Sequence, residues 1–203
     1  MNACVIRTGV ANTASVCAAL ARCGLDPTVT GDAERVASSP FVVLPGVGSF
    51  GVGMESLRAC GAAAAIAERV RAGRPTLAVC LGLQLLARES EETPGVSGLG
   101  VIDAPVTRFP VGVCTPQFGW NRVEPKAESG PVEPGYAYFA NSYRLTSAPP
   151  GWGVAWADHG GAFVAALWDR GVLACQFHPE VSGPWGLSLI RRWIATGGGV
   201  QAC

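Results

Sequence analysis

A chain of 203 residues, 49% hydrophobic and only 15% charged, is long and apolar enough to bury its own core without disulfide or metal staples, and it does not have the composition of a disordered polymer. Fifteen Lys and Arg balance fifteen Asp and Glu, so nothing marks the surface for nucleic acid or an anionic membrane, and a neutral surface fits one partly covered by a partner protein. No apolar run approaches the ~18 residues of a membrane span, and no basic-then-apolar leader opens the chain, so a cytoplasmic protein is expected.

The first half alternates strand and helix. Ala3–Arg7 reads as a short apolar strand, and residues 13–24 as a helix with Val16, Ala19, Leu20 and Cys23 on one face and Gly24 ending it. A weak strand at Thr28–Thr30 is followed by Phe41–Leu44, an apolar run of the kind a buried parallel strand gives. Residues 54–72 read as an Ala-rich helix with a possible break at Gly61, with Glu68, Arg69 and Arg71 on its solvated face. Pro75–Val79 is the next buried strand and runs through Cys80 into a helix from Leu81 to about Glu89. From about residue 99 the strands are short and interrupted; Phe163–Trp168 and Val172–Phe177 flank a hairpin-like turn, and residues 186–195 form a last helix. The expected fold is α/β: one doubly wound, mostly parallel sheet with helices on both faces and an antiparallel extension, spanning 1–203 as a single domain.

The eight cysteines (4, 17, 23, 60, 80, 114, 175 and 203) include no CxxC pair, and with only two His the chain offers no zinc or iron–sulfur spacing, so no metal or cofactor is expected. Most read as small buried hydrophobes. Cys80 differs, because a buried strand stops there and a helix begins at once, with Ala78 and Gly82 relieving the crowding of a sharp turn. Such an elbow pushes its apical side chain out over the sheet edge, and the helix N-terminus behind it favours a thiolate; a buried strand-end thiol is the alternative. Gln176-Phe177-His178-Pro179-Glu180 ends another strand. In an extended segment residues 178 and 180 point the same way, which lets Glu180 orient one ring nitrogen of His178 and leaves the other for a nucleophile. The other histidine, His159, reads as a turn residue. Leu44-Pro45-Gly46-Val47-Gly48-Ser49-Phe50-Gly51 follows a third strand at the same edge, and its glycine-rich backbone suits an oxyanion or a phosphate, although neither GxxxxGK[ST] nor GxGxxG is present.

These segments, with Cys80-Leu81-Gly82-Leu83-Gln84-Leu85-Leu86, Gly119-Trp120-Asn121 and the continuation Val181-Ser182-Gly183, resemble the class I (triad) glutamine amidotransferases, and within them the glutaminase subunits of imidazole glycerol phosphate synthase. The resemblance implies that Cys80 attacks the side-chain amide of L-glutamine, with His178 as base and acid and Glu180 orienting it. It implies an oxyanion strand at Gly46, Val47 and Gly48 with the Leu81 N–H as the other donor, and glutamine held by Gln84, Glu92, Asn141, Ser142 and Tyr143. It also implies a cyclase partner, a (β/α)8 barrel that forms a heterodimer with this chain and receives its ammonia. The sequence departs from the pattern at Arg7-Thr8-Gly9-Val10-Ala11-Asn12, Ala78, Gln117, Asn141 and Val181; the triad is intact, and the changes in the 7–12 loop and at Val181 bear on the partner interface.

Overall fold

The computed structural model describes residues 1–8, 12–126 and 130–198. Of the departing 7–12 stretch, residues 9–11 lie outside the described residues, as does Cys203. In chain order the elements are β1 (Asn2–Ile6), α1 (Thr13–Arg22), β2 (Asp26–Thr30), α2 (Ala33–Ser38), β3 (Phe41–Leu44), α3 (Phe50–Ala59), α4 (Ala62–Arg71), β4 (Thr76–Val79), α5 (Leu81–Leu85) and β5 (Ala87–Ser90). They continue with β6 (Ile102–Arg108), β7 (Gln117–Pro125), β8 (Gly135–Asn141), β9 (Tyr143–Leu145), β10 (Gly153–Asp158), β11 (Ala162–Asp169), β12 (Val172–Cys175) and α6 (Gly183–Gly198).

The main sheet has the order β2-β1-β3-β4-β12-β11-β10-β7-β8. Strands β2 to β12 in that order are parallel, and β11, β10, β7 and β8 extend it antiparallel. A second, three-stranded sheet runs β5-β6-β9. The central strands are apolar on both faces because both are covered. Val43, Leu77 and Leu173 belong to a core cluster with Leu20, Ile190 and Trp193 of α1 and α6, while Val42, Leu44, Ala78 and Ala174 belong to one with Leu57, Ile66 and Leu83 of α3, α4 and α5. At the far end only one face of the β7–β8 pair is covered: Val123, Ala137 and Phe139 are buried, while Phe118, Trp120 and Tyr136 stand exposed. Among the described residues no helix is long and apolar enough to cross a membrane.

The structure corrects several expectations. The helix expected over 54–72 does break at Gly61, which sits at φ +72°, into two helices, but the first begins earlier, at Phe50. Its start is hidden from local sequence because Ser49 makes no side-chain cap; the Phe50 N–H instead donates to Glu92 Oε2 at 2.6 Å, from 42 residues away. The helix expected from Leu81 to Glu89 stops at Leu85, because the chain then pairs with β6 in the second sheet. Helix α2, absent from the sequence reading, starts on an Asp32 side chain that accepts from the Glu34 and Arg35 N–H groups. Arg69 is no solvated residue: it is 1% exposed, and its guanidinium donates to the carbonyls of Val36, Ala37, Ser39, Pro40 and Pro75, tying α2 to the entrances of β3 and β4. Burial, with Arg74 nearby, lowers its pKa to about 10. Of the seven described cysteines only Cys4, Cys80 and Cys175 are buried; Cys114 is exposed, and all seven are free thiols.

Candidate active site

Strand β4 ends against β12, where the Cys80 N–H donates to the Cys175 carbonyl at 2.7 Å, and α5 begins at the next residue. Cys80 sits at φ +53°, ψ −106°, a region that side-chain-bearing residues rarely adopt. The turn is tight enough that a Cβ on Gly82 would collide with the Leu44 carbonyl oxygen, so only glycine fits beside the elbow. The five residues of α5 give a small dipole, so the helix contributes less to a thiolate than the sequence reading assigned to it.

His178 and Glu180 arrive from the end of β12, by a different route from the one expected. The segment is not extended: Pro179–Val181 forms a single 3-10 turn after His178 at φ −103°, ψ 94°. The turn brings Glu180 Oε1 within 2.9 Å of His178 Nδ1 all the same. It is fastened to β8 by the His178 N–H on the Tyr138 carbonyl (2.9 Å), by the Tyr138 N–H on Ser182 Oγ (3.0 Å) and by the Ser182 hydroxyl on the His178 carbonyl (2.6 Å). Burial alone would lower the imidazole's pKa. Hydrogen bonding to Cys80 and Glu180, and their negative charges, override it and raise the value from 6.5 to about 10. The Glu180 carboxylate has its other oxygen buried without a protein partner, so the imidazolium is its main compensation. By contrast, burial and then the Glu180 charge push the neighbouring Cys175 thiol well above its ordinary value, which makes it a poor nucleophile.

The cleft over Cys80 encloses about 450 Å³ including its mouth, and Val47, Gly48, Cys80, Leu81, Gln84, Glu92, Asn141, Ser142 and Tyr143 all line it, with Ala140. The lining thus comes together from four separate parts of the chain, and the residues expected around a glutamine from three of them. Their hydrogen bonds divide them. Gln84 Nε2 is committed to the Tyr143 carbonyl (3.1 Å) and to Gln176 Oε1 (3.0 Å), which leaves its own Oε1 for a ligand. Glu92 is partly spent on the start of α3. Asn141 Nδ2 donates to the Tyr143 carbonyl at 3.0 Å, and its Oδ1 is buried with no partner.

The oxyanion strand departs from its expected arrangement. The Leu81 N–H, assigned as a donor to the substrate, donates at 3.3 Å to the carbonyl of Gly46, which is an oxyanion-strand residue itself. Gly46 does not line the cleft, whereas Val47 is 41% exposed and Gly48 holds φ +97°, which favours glycine. The sequence reading also gave no role to Gln176, which is fully buried with Nε2 3.7 Å from Cys80 Sγ. Its place two residues before His178, directly after β12, the strand beside Cys80, was the available signal. His159 is half-buried: its Nε2 meets the Cys114 carbonyl at 2.8 Å, well apart from the triad in sequence and contacts.

A Cys, a His–Glu pair and a glycine loop at the C-terminal edge of a parallel sheet define a triad amide-transfer site. The family model "Glutamine amidotransferase class-I" matches residues 5–195. Imidazole glycerol phosphate synthase subunit HisH of Symbiobacterium thermophilum is 38% identical over 93% of this chain and 91% of its own, and the HisH subunit of Salmonella typhimurium is 38% identical over 96% and 99%. A solved glutamine amidotransferase superposes with a TM-score of 0.77 at 21% identity over 96% of this chain and 98% of its own, a likeness of fold. The chain belongs to the class-I glutamine amidotransferase family and, within it, to the HisH subunits of imidazole glycerol phosphate synthase.

Proposed function

We propose that this chain is the glutaminase half of an imidazole glycerol phosphate synthase, working as a single domain over residues 1–203 in the cytoplasm and passing ammonia to a (β/α)8 cyclase subunit. The Cys80 thiolate attacks the side-chain carbonyl carbon of L-glutamine, and the charge on the carbonyl oxygen is taken by the Leu81 N–H and a freed N–H of the Gly46-Val47-Gly48 strand. His178, held by Glu180, gives its proton to the leaving nitrogen; the C–N bond breaks, and ammonia leaves behind a glutamyl thioester. Water then attacks the thioester, His178 takes its proton, the C–S bond breaks and glutamate departs. Gln84, Glu92, Asn141, Ser142 and Tyr143 hold the amino-acid end.

The observation that carries this reading is Cys80 in the cleft beside the glycine strand, hydrogen-bonded to a His178 that Glu180 holds from behind. The exposed Phe118, Trp120 and Tyr136 face, with Trp120 reaching Gly183 just after the turn that carries Glu180, supports a protein partner at the same edge. In the complex with the cyclase, Cys80→Ala is expected to abolish glutamine hydrolysis and glutamine-dependent synthesis while added ammonia still supports the cyclase. Glutaminase activity retained by Cys80→Ala would remove it as the nucleophile.

A further inference from the structure

The sulfur of Cys80 needs stabilisation that the short α5 supplies only weakly, and on the side of β12 it has a neutral neighbour. Gln176 is fully buried, its backbone N–H is fixed to the Ala165 carbonyl at 2.8 Å, and its side-chain Nε2 lies 3.7 Å from Cys80 Sγ. The amide cannot turn round freely. Gln84 Nε2 donates to Gln176 Oε1 at 3.0 Å and is itself pinned by the Tyr143 carbonyl, so Gln176 must present N–H, and not C=O, to the sulfur. Two side-chain amides in series, anchored on a backbone carbonyl, are thus aimed at the reacting atom.

The geometry points to Gln176 as a catalytic hydrogen-bond donor to the Cys80 sulfur, with Gln84 acting as the clamp that sets its direction. This rests on Cys80 being the nucleophile. A donor at sulfur acts where sulfur carries charge: on the thiolate before attack, and again on the thiolate that leaves when water opens the thioester. It is weakest in the thioester itself, whose sulfur is neutral. It therefore favours the charged nucleophile and speeds deacylation. The other titratable groups around the sulfur are His178, hydrogen-bonded to Cys80 with Glu180 behind it, Cys175 at the end of β12, and Glu92 and Tyr143 in the cleft lining, so a neutral donor adds to the imidazolium without adding a titrating group.

The test uses the complex with the cyclase and three substitutions: Gln176→Leu, Gln176→Met and Cys80→Ala. Met keeps the length and volume of Gln without a donor, so it carries the test if Leu does not fold. The donor-less variants are expected to lose about tenfold or more in glutaminase kcat at pH 7, with the KM for glutamine changed less than about twofold. The pH dependence of Cys80 alkylation, followed peptide by peptide by mass spectrometry, moves to higher pH, and part of the lost rate returns there. A glutamyl adduct on Cys80 accumulates at steady state. Folded Gln176→Met with wild-type kcat and an unmoved alkylation profile overturns the role of Gln176, while Cys80→Ala remains dead. Activity surviving in Cys80→Ala would instead overturn the nucleophile itself.

Discussion

His178 sits between a thiol and a carboxylate in a place that burial would make hostile to its charge, and the two partners win. Its folded-state pKa, about 10, lies above the ordinary 6.5 that the unfolded chain restores. The charged ring therefore adds stability that is present in full below about pH 6.5 and is lost as the pH rises through about 10. Urea midpoints of the wild type and His178→Gln measured from pH 6 to pH 10.5 should converge at the alkaline end. A gap that stays constant across that range would mean that the ring is neutral in the folded protein. At this scale much of the site was legible. Cys80 was marked by an apolar strand running into a helix with Gly82 two residues on, and His178 and Glu180 by their spacing around Pro179. Gln176 was not, because an amide's role depends on which of its two ends is turned toward the sulfur, and that is fixed by Gln84 from another element.

The elements divide by end. The carbonyls gathered by Arg69 come from α2 and from the residues just before β3 and β4, at the edge of the sheet opposite the cleft. Replacing it strands several buried acceptors at once. Arg69→Met should cost on the order of 3 kcal/mol in urea unfolding and leave the glutaminase kcat of the folded protein within about twofold. A loss of kcat as large as the loss of stability would show that the two ends are coupled. The same group explains a failure of sequence reading. Spacing placed Arg69 with Glu68 and Arg71 on a polar face, and nothing in that pattern marks backbone oxygens brought in from α2 and the entrances of β3 and β4 as its partners. The buried strands were legible because β3, β4 and β12 are short runs of apolar residues between turn signals. Helix α2, six residues long with only Val36 buried, offered no periodicity, and the leucine-rich 81–86 run conceals where α5 yields to β5.

Across the whole molecule, the state of the oxyanion strand sets the expected rate. With the Leu81 N–H bonded to Gly46 at 3.3 Å, one donor is occupied by the protein itself, through a long bond that costs little to break. The chain alone should therefore be a slow glutaminase, and binding of the cyclase should raise kcat by ~10²–10³, the worth of one oxyanion donor. Steady-state assays with and without the cyclase measure this directly. A lone chain as fast as the complex would mean that the strand is not a brake. The ties between the catalytic turn and Tyr138 have a further consequence. A nine-stranded sheet has two rims where backbone groups are open to pairing with a foreign strand. On β2 the rim carries Pro27, which has no N–H to offer. On β8 the middle of the rim is taken by His178 and Ser182, which engage both the carbonyl and the N–H of Tyr138. The turn to which we assign the chemistry is also the guard that keeps this end of the sheet from recruiting another chain, so damage to it would threaten solubility as well as turnover.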